Sequence, residues 1–278
     1  MSDLLIASGL TKDYGHGRHR ERVVNDVNFT IAEGETLALV GESGAGKSTV
    51  ARMVLRLIEP TQGSVVFRGT DVVAMRHREL RSWRSNAQMV FQDPFEALDP
   101  RRSIMQSVAE PLIVHFDLTR SEREDRVEQL LKDVGLGTQV MRRFPYEMSG
   151  GQLQRVCIAR ALGTNPSLLV CDEPVAALDA SLRSLVINLL QDLQEERGIA
   201  YLFISHDLWL VKSIADRVIV MRHGVIRETG AVEQVFEHPS DPYTQELLDA
   251  APVADPRIQR AKRAAALAGA MSSLEAPE

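Results

Sequence analysis

A glycine-rich loop between a short apolar segment and a segment with helical spacing constrains the fold of this chain more than any other stretch. The loop reads Gly41-Glu-Ser-Gly-Ala-Gly-Lys-Ser48 and fits the pattern G-x-x-x-x-G-K-[ST]. Thr36–Val40, before the loop, predicts a strand, and residues 49–58, after it, predict a helix. Strand, glycine loop and helix together form the setting in which this pattern folds as a phosphate-binding P-loop.

Each residue type in this loop suits a phosphate group. Gly41, Gly44 and Gly46 let the backbone curl so that successive N–H groups face one anion, and the helix N-terminus adds partial positive charge. Lys47 can reach the β- and γ-phosphates of a nucleotide, and Ser48 can hold Mg²⁺. We therefore expect a nucleoside triphosphate site; the alternative is a glycine turn without a ligand.

Polar side chains also follow two buried strands further along the chain. Residues 167–171 lead to Asp172 and Glu173, and Ile199–Ile204 leads to His206. Asp172 can bind Mg²⁺ through water, Glu173 can polarise an attacking water, and His206 can hydrogen-bond a γ-phosphate. Since ligands of parallel α/β sheets bind at the carboxyl ends of the strands, we expect one shared crevice. The alternative for the acidic pair is an ordinary strand-terminal turn.

Two other positions carry weaker signals. Gln92 follows an apolar strand and precedes Asp93-Pro94, so it can reach into a site, although a surface glutamine is the simpler interpretation. Tyr14 lies ahead of the P-loop and can stack on a purine ring. Its alternative is a partly buried core tyrosine.

Residues 103–162 predict a helical insertion in the α/β pattern, because apolar residues recur there at helical spacing. Ser121 with Glu124 predicts a capping box at the start of one helix. Asp179, further on, fits a helix cap better than a catalytic role.

The last helix of the insertion begins with a second glycine motif. Ser149 is placed to cap this helix, and Gly150 and Gly151 expose N–H groups at its N-terminus. Such a helix start can bind a second anion, and the alternative is an ordinary glycine-containing cap.

The composition of the whole chain limits the classes of function. It has 278 residues, of which 44% are hydrophobic and 25% charged, as in soluble globular proteins. A net charge of −6 argues against a general nucleic-acid partner. The sequence has no apolar run long enough to span a membrane, and its N-terminus does not resemble a signal peptide. Cys157 and Cys171 lie in apolar segments and are interpreted as core residues.

Together these segments resemble the nucleotide-binding subunit of an ATP-binding cassette (ABC) transporter, over about residues 4–250 and in the same order. The P-loop resembles Walker A, Leu169–Glu173 resembles Walker B, and Ser149–Gln152 resembles the signature motif. Gln92 is similar to the Q-loop glutamine, Asp179 to the D-loop, His206 to the switch histidine and Tyr14 to the adenine-stacking aromatic.

The resemblance implies ATP and Mg²⁺ as ligands and assigns roles to individual residues. It implies that the catalytic residues are Lys47, Gln92, Glu173 and His206. The metal ligands would be Ser48, Gln92 and Asp172. Nucleotide binding is implied for Tyr14, Gly41, Ser43, Gly44, Gly46, Lys47, Ser48, Thr49, Ser149, Gly150, Gly151, Gln152 and Asp179.

The expected fold is α/β: a P-loop NTPase core with a mainly parallel sheet, a small antiparallel β subdomain and an inserted helical subdomain. We expect one ATP-binding domain over residues 1–250. Its core would be about residues 1–95 and 163–250, and its helical insert about residues 96–162. Residues 251–278 are expected to form a mobile tail.

A finer resemblance points to the peptide/nickel importer branch of this family. It rests on two stretches, Phe91–Arg101 and His238–Leu248, the second reading HPSDPYTQELL. In two positions the chain departs from the commoner residues, with Met148 before the signature and Ala176 after Walker B. Neither change touches a catalytic group, so an active site is expected.

In that family two cassettes pair head to tail, with ATP between Walker A of one and the signature motif of the other. The resemblance therefore implies a second ATP-binding subunit, identical or related, and membrane-spanning permease subunits. It also implies an external solute-binding protein in some systems, and a peripheral location at the cytoplasmic face of the cell membrane. The alternatives are a soluble ABC ATPase not coupled to transport and a nucleotide-binding regulator without hydrolysis. Glu173 and His206 argue against the regulator.

Overall fold

The computed structural model describes residues 3–15, 17 and 20–251. The predicted tail lies outside these residues from position 252 onward. None of the helices in the described part of the chain has the length and apolarity that crossing a membrane requires.

In the described part of the chain, ten strands form two sheets. The smaller, antiparallel sheet has the order β2-β1-β4-β5. Its strands are β1 (Asp3–Tyr14), β2 (Glu21–Ala32), β4 (Gln62–Phe67) and β5 (Thr70–Asp71). The larger sheet contains β3 (Thr36–Val40), β6 (Ala87–Val90), β7 (Leu168–Asp172), β8 (Ala200–Ile204), β9 (Arg217–Arg222) and β10 (Val225–Ala231). Its order is β10-β9-β3-β8-β7-β6, and only β10 is antiparallel to its neighbour.

Among the described residues, ten α-helices surround the sheets. The first half of the chain contributes α1 (Lys47–Val54), α2 (His77–Trp83), α3 (Pro94–Ala97), α4 (Ile104–His115) and α5 (Arg120–Asp133). The second half contributes α6 (Gly150–Leu162), α7 (Ala180–Arg197), α8 (Leu208–Ile214), α9 (Val232–Glu237) and α10 (Pro242–Ala250). Short 3-10 helices at Thr138–Arg142 and Pro145–Glu147 lie between α5 and α6. This architecture confirms the predicted fold class.

The large sheet is buried on both faces because its side chains alternate between two cores. In β7, Leu169 and Cys171 belong to the core shared with α4, α5, α6 and α7. Leu168 and Val170 face the opposite core, shared with α1 and the antiparallel sheet. Strands buried on both sides read as continuous apolar runs, which is why this sequence showed them clearly.

A third, smaller core lies at the β9 side of the large sheet. Val218 and Val220 of β9 pack there with residues of β3, α8, α9 and Tyr243 of α10. The β9–β10 hairpin turns through His223 and Gly224, whose φ angles of 48° and 78° fit the tight turn predicted at residues 222–224. The last described helix is thus attached to the strand beside β3, and β3 carries the P-loop.

Candidate ATP-binding and hydrolysis site

The P-loop connects β3 to α1 and is packed closely against the β9–β10 hairpin. Gly41 has a φ of +144°, and a Cβ there would lie 2.1 Å from the carbonyl oxygen of Met221. A Cβ at Gly46 would lie 2.8 Å from the carbonyl oxygen of Val23. Because neighbouring backbone occupies both positions, only glycine allows the loop to take this path.

Lys47 is folded back onto the loop itself. Its Nζ donates hydrogen bonds of 2.8 Å to the carbonyl oxygens of both Gly41 and Glu42. The side chain is buried, and this burial lowers the pKa of the ammonium group, while the carboxylates of Glu173 and Asp172 oppose that shift. The ammonium is therefore held at the P-loop by acceptors that phosphate oxygens could replace.

Two oxygen ligands suited to a magnesium ion meet beside the loop. The Ser48 hydroxyl donates to Asp172 Oδ1 at 2.9 Å, although the two residues are 124 positions apart. Burial raises the pKa of the Asp172 carboxyl, and the hydrogen bond from Ser48 opposes that shift. A hydroxyl and a carboxylate, with the Gln92 amide lining the same cavity, form an oxygen-rich set of the kind that Mg²⁺ prefers.

Glu173 lies between the two remaining predicted catalytic side chains. Its Oε2 is 3.4 Å from Gln92 Nε2, which donates to it, and 3.1 Å from His206 Nδ1. The backbone of Glu173 has a φ of +48°, a left-handed conformation that costs a non-glycine residue about 1–2 kcal/mol. Its N–H donates to the Ile204 carbonyl at 3.0 Å, which anchors this conformation to the neighbouring strand. Such strain is typical of functional positions.

These groups line one open cavity of about 530 Å³. The lining residues are Val23, Ser43, Gly44, Gly46, Lys47, Ser48, Thr49, Gln92, Glu173 and His206. An adjoining cavity of about 410 Å³ extends past Ser48 and Gln92 to Asp172. The carboxyl ends of four strands of the large sheet, β3, β6, β7 and β8, therefore meet at one site.

Besides Gly41 and Asp172, three sets of predicted site residues do not line this cavity. Tyr14 ends β1 with 42% of its surface exposed, so it is not a core tyrosine. The Lys12 ammonium lies 5.2 Å from the centre of its ring. Ser149–Gln152 begins α6, and Asp179 begins α7.

The signature residues and Asp179 are helix caps in the single chain. The Ser149 hydroxyl accepts from the Gln152 N–H at 3.4 Å, and Gln152 Oε1 accepts from the Ser149 N–H at 3.1 Å. Asp179 Oδ1 accepts from the Leu182 N–H and the Ser181 hydroxyl. The two caps predicted from the sequence are confirmed, and neither contacts the P-loop cavity.

Val23 and Arg52 are among the lining residues that were not predicted as site residues from the sequence. Val23 of β2 lines the P-loop cavity, and no sequence signal marked it. Arg52 of α1 lines the adjoining cavity, and its charge lowers the pKa of Asp172. Its spacing of four residues from Ser48 puts both on one face of the helix and could have identified it.

Comparison with known proteins agrees with this architecture. A family profile described as ABC transporter matches residues 24–176. The chain is 50% identical over 239 residues to the probable peptide ABC transporter ATP-binding protein y4tS of Sinorhizobium fredii, covering 86% of this chain and 68% of that protein. It is 46% identical over 253 residues to the oligopeptide transport ATP-binding protein OppF of Salmonella typhimurium, covering 91% and 76%.

A solved structure gives the same result for the fold. The ATP-binding cassette MJ0796, a dimer in a post-hydrolysis state bound to ADP and Pi, matches with a TM-score of 0.76 and 31% identity, over 82% of this chain and 98% of that one. The fold and the P-loop site define a nucleotide-hydrolysing cassette. The chain belongs to the ABC transporter family, as an ATP-binding and ATP-hydrolysing subunit. The predicted family and its peptide/nickel importer branch are confirmed.

Proposed function

We propose that this subunit drives import of a peptide or peptide-like small solute through separate membrane-spanning permease subunits. One observation carries the catalytic part: the P-loop, Asp172, Glu173, Gln92 and His206 converge on connected cavities at one end of the large sheet. The cargo is proposed from the similarity to y4tS and OppF, whose names state peptide and oligopeptide transport.

The proposed hydrolysis uses the side chains that surround Glu173. Glu173 acts as the base that polarises the attacking water, since it is the carboxylate facing the cavity. Gln92 and His206 hold its carboxylate, and His206 also binds the γ-phosphate. Lys47 exchanges its two carbonyl partners for phosphate oxygens and stabilises their charge.

The donor set beside the loop fits Mg²⁺. Ser48, Asp172 and Gln92 would hold the ion, directly or through water. A bound Mg²⁺ would supply charge that neutralises the phosphate oxygens.

The complete ATP site is proposed to form between two cassettes. The helix α6 has 13 residues and is capped by Ser149. In one chain its start does not line the P-loop cavity; this start comprises Ser149, Gly150, Gly151 and Gln152. A second ATP-binding subunit, identical or related, would bring this helix start and its Asp179 over the phosphates. Ser43 and Thr49 bind phosphate from the loop, and Tyr14 stacks on the adenine.

The proposed position in the assembly is peripheral, at the cytoplasmic face of the cell membrane. Residues 1–250 would form one domain, with residues 96–162 as its helical insert. An external solute-binding protein would deliver cargo to the permease. The permease is proposed to dock near Phe91 and Phe95, which are exposed and lie next to Gln92.

Cross-linking tests the permease contact, and it distinguishes a transporter subunit from a soluble ATPase that is not coupled to transport. A cysteine at Phe95, in a complex purified in detergent, should cross-link to a cytoplasmic loop of a membrane subunit. A cysteine at His223, which is exposed in the β9–β10 hairpin next to Gly224, is the matched control and should not. Cross-links from His223 alone, or purification without any membrane subunit, would contradict the proposal.

Lys47→Ala tests the catalytic assignment. The variant should lose ATP hydrolysis and bind ATP more weakly, because the charge that neutralises the phosphates is removed. Phosphate release and binding of a fluorescent ATP analogue give the two measurements. Turnover at the wild-type rate would contradict the proposed role of the P-loop.

A further inference from the structure

One peptide group of the P-loop is hydrogen-bonded at both ends. The carbonyl oxygen of Gly41 accepts from Lys47 Nζ at 2.8 Å. The N–H of the same peptide group, which belongs to Glu42, donates to the Tyr243 hydroxyl at 3.3 Å. In a trans peptide the C=O and N–H point in opposite directions, so Tyr243 fixes the direction in which this carbonyl faces Lys47.

Tyr243 is itself held firmly. Only 3% of its surface is exposed, and it packs in the core shared with β3 and β9. The guanidinium carbon of Arg222 lies 4.4 Å from the centre of its ring, within the range of a cation–π contact. A rigid phenol can therefore transmit a fixed position to the loop.

The segment before Tyr243 is attached to β10. Asp241 Oδ1 accepts from the Tyr243 N–H at 2.8 Å, and Asp241 Oδ2 accepts from Arg227 Nε at 3.1 Å. The Glu228 carboxylate accepts from the N–H and the hydroxyl of Ser240. These bonds attach the start of α10 to β10, at the point where Tyr243 contacts the P-loop.

We infer that Tyr243 is a positioning residue for ATP binding, which fixes the peptide group between Gly41 and Glu42 and so keeps the P-loop backbone ordered for the phosphates. This inference rests on the proposed role of the loop in binding the phosphates of ATP. It gives a physical role to the stretch His238–Leu248, which the sequence analysis singled out only because it resembles the peptide/nickel importer branch. Without the hydroxyl the peptide group can rotate, and the loop must be ordered when the phosphates bind.

Tyr243→Phe removes the hydroxyl and keeps the ring. Loss of one neutral hydrogen bond should weaken the binding of ATP and of inorganic triphosphate by about five-fold each. KM for ATP should rise by a similar factor while kcat stays unchanged, because Glu173 and its partners are not touched. Equal losses for ATP and triphosphate would locate the effect at the phosphates.

Amide hydrogen exchange tests the contact directly. The Glu42 N–H donates to the Tyr243 hydroxyl, so this amide should exchange slowly in the wild-type protein. Fast exchange of that amide in the wild type would overturn the inference even if Tyr243→Phe failed to fold. In the folded variant the exchange should become faster.

Tyr146→Phe is the matched control, since Tyr146 is 71% exposed and lies far along the chain in the helical insert. It should change neither affinity nor exchange at Glu42. Wild-type affinities and exchange in Tyr243→Phe would overturn the inference, whatever the thermal stability of that variant. If Lys47→Ala also bound triphosphate at wild-type strength, the proposed function would fail instead.

Discussion

Asp172 combines a buried position with an ionisable carboxyl group. Only 5% of its surface is exposed, and Ser48 supplies a single neutral hydrogen bond. Burial disfavours the ionised carboxylate, and the pKa of the Asp172 carboxyl is raised accordingly. The ionised carboxylate therefore reduces the stability of the folded protein, and in the proposed function this same group serves as a metal ligand.

Asp172→Asn should make the protein without nucleotide more stable at pH 7, because the amide keeps the bond to Ser48 and carries no charge. The gain should shrink as the pH falls from 7 to 4, since the wild-type carboxyl then takes up a proton in the folded state and no longer carries a buried charge. Urea unfolding of variant and wild type at both pH values measures this. A gain that persists at pH 4 would contradict the explanation.

Asp179→Asn is the matched control. Hydrogen bonds from the Ser181 hydroxyl and the Leu182 N–H lower the pKa of Asp179, so its ionised form is favoured in the folded state. This change should not raise stability at pH 7.

In a separate measurement, Asp172→Asn should weaken magnesium binding with ATP by about ten- to a hundred-fold, as for other groups that order a metal site.

The start of α5 was predicted at the wrong capping residue. The pattern of Ser or Thr followed by Glu three positions later occurs twice, at Thr119–Glu122 and at Ser121–Glu124. The structure uses the first: the Thr119 hydroxyl accepts from the Glu122 N–H, and Glu122 Oε2 accepts from the Thr119 N–H. The prediction of Ser121 with Glu124 was therefore wrong, because two overlapping patterns fit and only the earlier one begins the helix.

Thr119→Ala should lower the free energy of unfolding by about 1 kcal/mol, the usual value of an N-cap. Ser121→Ala, on the exposed first turn of the same helix, should change it by less than about 0.5 kcal/mol. Chemical denaturation of the two variants gives the comparison. Equal effects, or a larger effect at Ser121, would contradict the observed cap.

The end of α1 shows which parts of the fold the sequence could not predict. Helical spacing predicted this helix to residue 58, but it ends at Val54, and Arg56 adopts a φ of +46°. Arg56 Nη1 donates to the carbonyl of Val72 at 3.0 Å, a contact with a distant segment. Tertiary contacts of this kind override local propensity and leave no pattern in the sequence.

The buried strands of the mainly parallel sheet, and the placement of Lys47, Asp172 and His206 at their carboxyl ends, were predictable, because such strands and their polar ends have a clear pattern. The contact of Tyr243 with the loop was not, since it joins residues 201 positions apart through one hydroxyl.

In the whole molecule, two potential anion sites lie on one chain and do not share a cavity. The P-loop cavity is lined by Lys47, Glu173 and His206, whereas Ser149 caps its own helix elsewhere. The related cassette MJ0796 is a dimer bound to ADP and Pi. An arrangement in which each chain completes the other's site would use both features, and ATP would then bind the pair more tightly than the single chains.

Glu173→Gln should trap an ATP-bound pair of cassettes. The amide can still bond to Gln92 and His206, but it cannot act as a base, so nucleotide binding should persist while hydrolysis stops. Loss of a carboxylate near the γ-phosphate also removes a repulsion, so the affinity for ATP should not fall. If ATP binds the pair of cassettes more tightly than the single chains, it shifts the equilibrium toward the dimer. The dimer should therefore accumulate in the variant.

Size-exclusion chromatography with light scattering, with and without ATP, measures this dimer. Wild-type protein should return to monomer as ATP is consumed, and the double variant Lys47→Ala with Glu173→Gln should remain monomeric throughout. A Glu173→Gln variant that binds ATP yet stays monomeric at micromolar concentration rules out the homodimer. Adding a related partner cassette then tests whether the pair is a heterodimer. A chain that pairs neither with a second copy of itself nor with that partner would contradict the shared ATP site.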